Sequence, residues 1–542
     1  MSDDNKKKPA DPSDVTTMSP WEDGLECINS LLSAGSATSA VMTDRQRSGL
    51  KNLKDMMLLG VNRVVNHVPR ALLDADENRS SDILLSEYAG YTRPTQTKSI
   101  DVILSAHRCA RKIAKFARAS LRLKTIDVGN EVTNIPAYWT TLNEESKLKL
   151  RDLLSWDSIS QWDFNIFDVD EVLKGKHTLV FVAWAILAAP QAQHSMDLAC
   201  LQFSSEDDND LDTDSDSDSG INPDSHIDSE STITDFNDRE GYNFLPNLNI
   251  KEETLVEYLY AIEDRYIKDV CYHNDVHAAD VTQSLHALLQ MGGKKFADEK
   301  WELFSILIAA VVHDVGHGGL NNSFHINSRS ELALLYNDVS VLENMHAATA
   351  FKLIMGENRQ RKLDIFDNFP EKERSKARKF IVKAILSTDM TKHFAKKSFI
   401  QGILLNTEDG NIAPCCSVPE DLCLRHGVLT FLAHLADISN PSKDIKTALK
   451  WTDRLLEEWY RQGDKEEELG LPFSLGCDRN AQTREESQIG FINFIVLPSF
   501  KMLGKLIPRV EKEIVPQIEK NLEWWKEKQK LNLAGEKEDD SV

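Results

Sequence analysis

The sequence predicts an all-α protein. From Phe244 to about Gln529, apolar residues recur at helical spacing, and alternating strand-like runs bounded by turn pairs are absent. The amphipathic stretches are punctuated by Gly292-Gly293, Gly356, Pro370, Gly402, Pro414, Pro419 and Pro441, as helix ends require. A 10-residue apolar run, Leu303–Val312, ends abruptly in His313-Asp314-Val315-Gly316-His317, where a buried helix meets groups that seek a metal or a proton.

Taken in order, residues 1–20 are charged, contain Pro9, Pro12 and Pro20, and lack an apolar signal-peptide core. They predict a disordered N-terminus on a cytoplasmic protein. Residues 21–142 read as a helical N-terminal region with a regulatory role; Gly49–Leu59 carries apolar residues at helical spacing. Within it, residues 101–124 hold seven Arg and Lys, while no acid stands between Asp101 and Asp127. Such a basic amphipathic helix suits a regulatory protein of the calmodulin type or an acidic membrane. It equally suits docking on its own acidic protein, as an autoinhibitory or homodimer-forming element.

Residues 143–203 again read as helical, with Trp156, Trp162 and Trp184 for packing. The 13-residue run Thr178–Pro190 is too short to cross a bilayer and predicts a core helix. Residues 204–241 break the pattern. Of the chain's 86 acidic side chains, 14 lie between 205 and 240 beside one base, Arg239. This stretch predicts a disordered acidic insertion, open to serine phosphorylation but without the spaced Gly and terminal Glu of an EF-hand loop. It accounts for more than half of the net charge of −23. A balance this acidic argues against a nucleic-acid partner. The eight cysteines contain no C-x-x-C pair, which fits reduced thiols. The catalytic region is expected over 143–530 and an acidic tail over 531–542.

The candidate chemistry lies in three separated pieces. His273 and His277 stand at i, i+4, as do His313 and His317, and this spacing predicts that each pair shares a helical face. Asp437 closes a third apolar stretch, where an unpaired buried carboxylate would cost several kcal/mol. Two imidazoles and two carboxylates, His277, His313, Asp314 and Asp437, suit Zn²⁺ or a borderline ion such as Mn²⁺ or Fe²⁺. Asp314 has two oxygens and can bridge to a harder second ion such as Mg²⁺. A metal pair about 3.5–4 Å apart serves phosphoryl hydrolysis by making hydroxide available at neutral pH. His273 is then the natural general acid.

The string His313-Asp-Val-Gly-His-Gly-Gly-Leu-Asn-Asn-Ser-Phe324 resembles the signature of class I 3′,5′-cyclic-nucleotide phosphodiesterases. Matching strings surround it: Tyr272-His273-Asn274, His277–Val281, Ser340–Asn344, Ser387–Met390, Ala436–Pro441, Trp451–Arg454, Gln462–Asp464 and Ser487–Ile492. Their order agrees over roughly residues 150–528. The resemblance implies a compact multi-helix catalytic domain of the HD-type metal hydrolases. It implies two divalent ions: Zn²⁺ at the tighter site of His277, His313, Asp314 and Asp437, and Mg²⁺ or Mn²⁺ at a second site whose waters His317, Glu343 and Thr388 hold. His273 would donate the proton. Gln488 would read the purine edge, Phe491 and Leu455 would clamp the base, and Tyr272, Met390 and Asn440 would line the substrate pocket.

Asn440 is similar to a residue that favours adenine in several cAMP-selective members, so cAMP is the expected substrate, with cGMP also open. Three positions depart from the family pattern: Met345 before a single His346, Gly316 where an acid is common, and Gly318 in place of a frequent Pro. None removes a group the chemistry needs. Two other readings remain: a related metal phosphohydrolase acting on other nucleotides, and a non-catalytic scaffold that binds cyclic nucleotide.

Overall fold

The structure, a computed structural model, describes residues 123–128, 131–201, 241–356, 363–406 and 424–534. The expectations for residues 1–20, for most of 21–142 including the basic stretch up to Arg122, for the acidic insertion and for the final residues 535–542 lie outside them. The chain divides into two compact units. One comprises residues 1–98 and Phe394–Asn406, of which Phe394–Asn406 are described and helical; the other comprises Ser99–His393 and Thr407–Val542.

The second unit opens on a departure from the helical expectation. Leu123–Val128 (β1) and Glu131–Pro136 (β2) pair antiparallel, with Val128 opposite Glu131. Two positions, 129 and 130, separate the strands in the sequence. Ile126, Val128, Val132, Thr133 and Ile135 supply the β-branched residues that favour strands. Lys124, counted above as the last base of the basic stretch, therefore belongs to a strand.

The remainder is helical. The core is stacked around α1 (Thr178–Leu187), whose ten residues are all buried, and α2 (Asp275–Gln290), buried from Asp275 to Leu289. A helix apolar on every side has no face to give to water, so it becomes central. Helix α2 packs on α1, on α3 (Lys300–Val312) and on the helix Leu424–Asp437. Around these lie α4 (Val341–Met355), α5 (Glu371–Leu386), α6 (Leu424–Asp437) and the amphipathic α7 (Ile445–Glu468).

Helices α8 (Arg484–Phe491) and α9 (Leu497–Leu506) join through a π-helical turn at Ile492–Val496. Together they form a 23-residue helix apolar enough by composition to span a membrane, yet Ile492, Val496, Phe500 and Leu503 are buried in the protein. The last helix, α10 (Val515–Ala534), packs on α8 and runs past the expected end of the domain at 530. Trp139, Trp184, Trp451 and Trp525 are all at most 2% exposed and fill the spaces between layers. The consequence for function is geometric: α2 begins, and α3 and α6 end, in one region.

Candidate metal and active centre

Asn274 starts α2. Its Oδ1 accepts from the backbone N–H groups of Val276 and His277 at 3.0 and 3.3 Å, and its Nδ2 donates to Val270 O at 2.9 Å. The cap leaves His277 on the first turn and His273 before the helix, which corrects the expectation of a shared helical face. A side chain that satisfies two orphan N–H groups sets the boundary more firmly than spacing does. The two rings still approach, 5.7 Å apart and nearly perpendicular.

The second pair is corrected in the same way. Helix α3 stops at Val312, His313 is its C-cap, and Gly316 and Gly319 follow with φ of 83° and 72°. The left-handed turn at Gly316 carries His317 off the helix axis and onto the His273 ring, with centroids 4.1 Å apart.

Four side chains then converge. His313 Nε2 lies 3.1 Å from Asp314 Oδ2 and 3.3 Å from Asp437 Oδ1; His277 Nε2 lies 3.6 and 3.1 Å from the same two oxygens. One ligand atom from each residue falls within 4.8 Å of the other three. His313 Nδ1 donates to Ala310 O at 2.8 Å, so Nε2 is left without a hydrogen-bond partner and aims its lone pair at two carboxylates. That arrangement demands a positive charge. The same demand appears in the titration: burial lowers the His313 pKa, but Asp314 and Asp437 lift it well above the ordinary imidazole range. Asp314 and Asp437 are held well below the usual carboxylate range, against burial, chiefly by His313. Two neutral imidazole nitrogens and two carboxylate oxygens at this spacing fit a divalent cation of the Zn²⁺ class.

Asp314 uses its other oxygen elsewhere. Oδ1 faces His346 Nε2 at 3.6 Å, while His346 Nδ1 donates to Val315 O at 2.8 Å. The two oxygens of one carboxylate thus address two sides, as a bridging ligand must. Glu343, on the first turn of α4, accepts from Asn322 Nδ2 at 3.2 and 3.0 Å, and burial followed by Asp389 raises its pKa to about 7. Thr388, half-buried, donates its hydroxyl to Ile385 O at 2.9 Å.

His273, His317 and Glu458 form a second close set. Its hydrogen bonds argue against a metal there. Gly319 N–H donates to His317 Nδ1 at 3.0 Å, so neutral His317 carries its proton on Nε2 and presents a donor rather than a ligand. His273 Nδ1 is 2.5 Å from Glu458 Oε1, and Glu458 Oε2 accepts from the N–H groups of Tyr272 and His273 at 2.7 and 3.0 Å. Burial opposes protonation of His273, but Glu458 overcomes it and raises the pKa to about 9; Glu458 itself is drawn down to about 2. The set is built to hold a proton.

The residues expected to line a substrate pocket vary in placement. Gln488 on α8 is buried, and none of the described residues hydrogen-bonds its amide. Phe491 and Leu455 are half-buried. Tyr272 is buried, its ring 4.6 Å from that of His277, and its hydroxyl donates to Asn440 Oδ1. Met390 is 44% exposed and stands at the surface.

Sequence reasoning missed Glu458 and passed over His346 as a site residue. Glu458 had a signal: with Trp451, Leu455 and Gln462 it lies at helical spacing along α7, a charged residue on an otherwise inward stripe. His346 had none, because the partner that fixes its tautomer is the carbonyl of Val315, 31 positions away.

Part of the chain is similar to known proteins. Residues 272–518 match the family described as 3′5′-cyclic nucleotide phosphodiesterase. The chain is 38% identical to a 3′,5′-cyclic-AMP phosphodiesterase 4C of Mus musculus over 283 residues, 52% of this chain and 40% of that protein. It is 40% identical to isoform F of a Drosophila melanogaster 3′,5′-cyclic-AMP phosphodiesterase over 293 residues, 54% of this chain and 43% of that one. The chain therefore spans about half the length, or less, of the curated relatives it matches. Among solved structures, the phosphodiesterase domain of Salpingoeca rosetta rhodopsin phosphodiesterase is similar, with a TM-score of 0.54 and 28% identity over 71% of this chain and 97% of that one.

Proposed function

We propose, on the match of residues 272–518 to the 3′5′-cyclic nucleotide phosphodiesterase family, that the protein opens the cyclic phosphodiester of cAMP, with cGMP as a lesser substrate, to give the 5′-monophosphate. The observation that carries the reading is the convergence of His277, His313, Asp314 and Asp437 within 4.8 Å beside the proton-holding pair His273–Glu458. The preference for cAMP is supported by the names of the relatives.

The four residues would hold a Zn²⁺-class ion, and Asp314 Oδ1 would reach a second ion of the Mg²⁺ or Mn²⁺ class. When bound, such a pair supplies an activated water at neutral pH and neutralises the phosphate oxygens. The chain's own residues supply the rest. His317 offers Nε2–H, and Glu343 and Thr388 offer oxygens, to orient water near the second ion. Glu458 keeps a proton on His273 Nδ1, so that an imidazolium can release its Nε2 proton to the departing O3′ and remain hydrogen-bonded as the neutral ring. Gln488 has both a donor and an acceptor for the purine edge, and Phe491 and Leu455 offer apolar surface to its faces. Tyr272, Asn440 and Met390 complete the pocket in this reading.

Steady-state hydrolysis of cAMP and cGMP by the full chain, with Mg²⁺ or Mn²⁺ supplied, tests it. We expect 5′-AMP as the product and a higher kcat/KM for cAMP. A metal-loaded protein that binds cyclic nucleotide without single-turnover hydrolysis would overturn the catalytic reading. A preference for nucleoside triphosphates over both cyclic substrates would overturn the substrate class.

A further inference from the structure

Helices α8 and α9 form one continuous run, and the π-helical turn Ile492–Val496 interrupts its α-helical pattern. Leu497 N–H donates to Ile492 O, five positions back. Pro498 gives a local reason for a break, because it brings no N–H to the ladder. It does not explain which way the break resolves. A turn widened by one residue sets the preceding helix about 100° from where a continuous α-helix would place it. That rotation decides which face of α8 turns inward. Gln488 is 4% exposed, whereas Glu486, two positions before it, is exposed.

A run of buried side chains meets this turn. Ser499 donates its hydroxyl proton to Ile495 O at 2.6 Å. A hydroxyl has one proton, so toward its other neighbour Ser499 accepts. That neighbour is His393 Nε2, at 3.3 Å. A neutral His393 with its proton on Nε2 accepts at Nδ1, where His434 Nε2 lies at 2.9 Å. The donors therefore run one way, from His434 through His393 and Ser499 to the carbonyl of Ile495. All three side chains are wholly buried. Polar groups at that depth are costly unless satisfied, and apolar side chains would fill the same space without the demand. One end of the run stands on α6, where His434 is three residues before Asp437. The other, Ile495, stands one helical turn beyond Phe491 and two beyond Gln488.

We propose that this run holds the π-helical turn in register, so that Ser499 is a positioning residue for Gln488 and Phe491. The inference rests on the reading above that these two side chains receive the purine base. Without the Ser499 hydroxyl, the Ile495 carbonyl and His393 lose their common partner, and the turn is free to relax toward the α-helical pattern. Helix α8 then rotates, and the amide and the ring leave the base. The four converging metal ligands, none of which α8 or α9 carries, stay in place. The signature is weaker nucleotide binding with the chemistry intact.

Ser499→Ala in the full chain tests this. The readouts are KM and kcat for cAMP, Kd for 5′-AMP by calorimetry, and metal content. We expect KM and Kd each to rise about three- to tenfold, the worth of one buried hydrogen bond, with kcat within about twofold and metal content unchanged. Ser499→Thr keeps the hydroxyl and should stay within about twofold of the wild-type values. KM does not depend on enzyme concentration, so it can be read on whatever fraction of a destabilised variant folds. A Ser499→Ala protein with wild-type KM and Kd would overturn the proposal whatever its Tm, because a merely structural hydroxyl moves Tm alone. So would a Ser499→Thr protein as impaired as Ser499→Ala, or a fall in kcat at unchanged KM. A wild-type protein that binds 5′-AMP but turns over no cyclic nucleotide would overturn the function proposed above, and the Kd comparison would still decide this inference. A wild-type protein that binds no nucleotide would overturn both.

Discussion

At the scale of single residues, the site depends on which nitrogen of each imidazole carries a proton. Ala310 O fixes this for His313, Val315 O for His346, Gly319 N–H for His317 and Glu458 for His273. The first two turn lone pairs toward carboxylates, and the last two turn protons toward the place where substrate would lie. His273→Ala is expected to lower kcat for cAMP by about 10²–10⁴-fold, the usual share of a general acid, with metal content retained. Glu458→Gln should lose less at neutral pH. Its distinguishing sign is in the pH profile. Glu458 raises the His273 pKa to about 9, and a general acid works below its pKa. Removing the carboxylate therefore moves the alkaline limb of kcat to lower pH. An unmoved limb in Glu458→Gln would show that the pair does not set the proton on His273.

At the scale of elements, helix ends do the placing. Asn274 ends the loop that carries His273 and begins the helix that carries His277, so one cap sets the distance between acid and ligand. Asn274→Ala should cost about 0.5–2 kcal/mol, as loss of a side-chain N-cap does, read from denaturant midpoints. It should also weaken tight-metal affinity, because the first turn of α2 frays at His277. Unchanged metal affinity in a measurably destabilised variant would separate the cap from the site.

Another buried histidine on α2 makes acid stability an element-scale property. His286 lies between Ser160 Oγ at 3.0 Å from Nε2 and Tyr242 Oη at 3.0 Å from Nδ1, and burial, with a smaller effect of Lys294, depresses its pKa to about 3. The unfolded chain takes up this proton near pH 6.5, and the folded protein does not until about pH 3. Stability from this group is thus complete above about pH 6.5 and declines as pH falls toward 3, by at most about 1.4 kcal/mol per pH unit. His286→Gln should flatten the loss of stability between pH 6.5 and 5. An equally steep loss in the variant would assign the acid sensitivity elsewhere.

At the scale of the whole molecule, α2, α3 and α6 lead to the same two carboxylates, buried Asp314 and half-buried Asp437, from parts of the sequence 160 residues apart. A bound cation would tie these helices together and should stabilise the fold by mass action, by about 2.7 kcal/mol at 100 times its Kd. Chelation is expected to lower Tm, and readdition of Zn²⁺ to restore it. Asp314→Ala should show neither effect, since it lacks the bridging carboxylate; a chelator-sensitive Tm in that variant would place the stabilising ion elsewhere.

The sequence by itself determined the helical class of most of the described residues, the resemblance that the match over 272–518 bears out, and the four side chains that converge. Apolar periodicity and residue chemistry are local properties, and His313-Asp314 announces itself within a few positions. It misjudged 123–136, where β-branched residues on either side of Gly129-Asn130 outweigh a regional expectation of helix. It also placed His273 and His317 on helical faces, whereas the Asn274 cap starts α2 only after His273, and α3 has ended and turned at the left-handed Gly316 before His317. Only the tertiary structure decided the protonation pattern, the Glu458 partner and the hydrogen bond of Tyr272 to Asn440. A side chain's tautomer and orientation depend on which donor or acceptor the packed fold brings within about 3 Å, and the sequence does not say which residues, up to 185 positions apart, will meet.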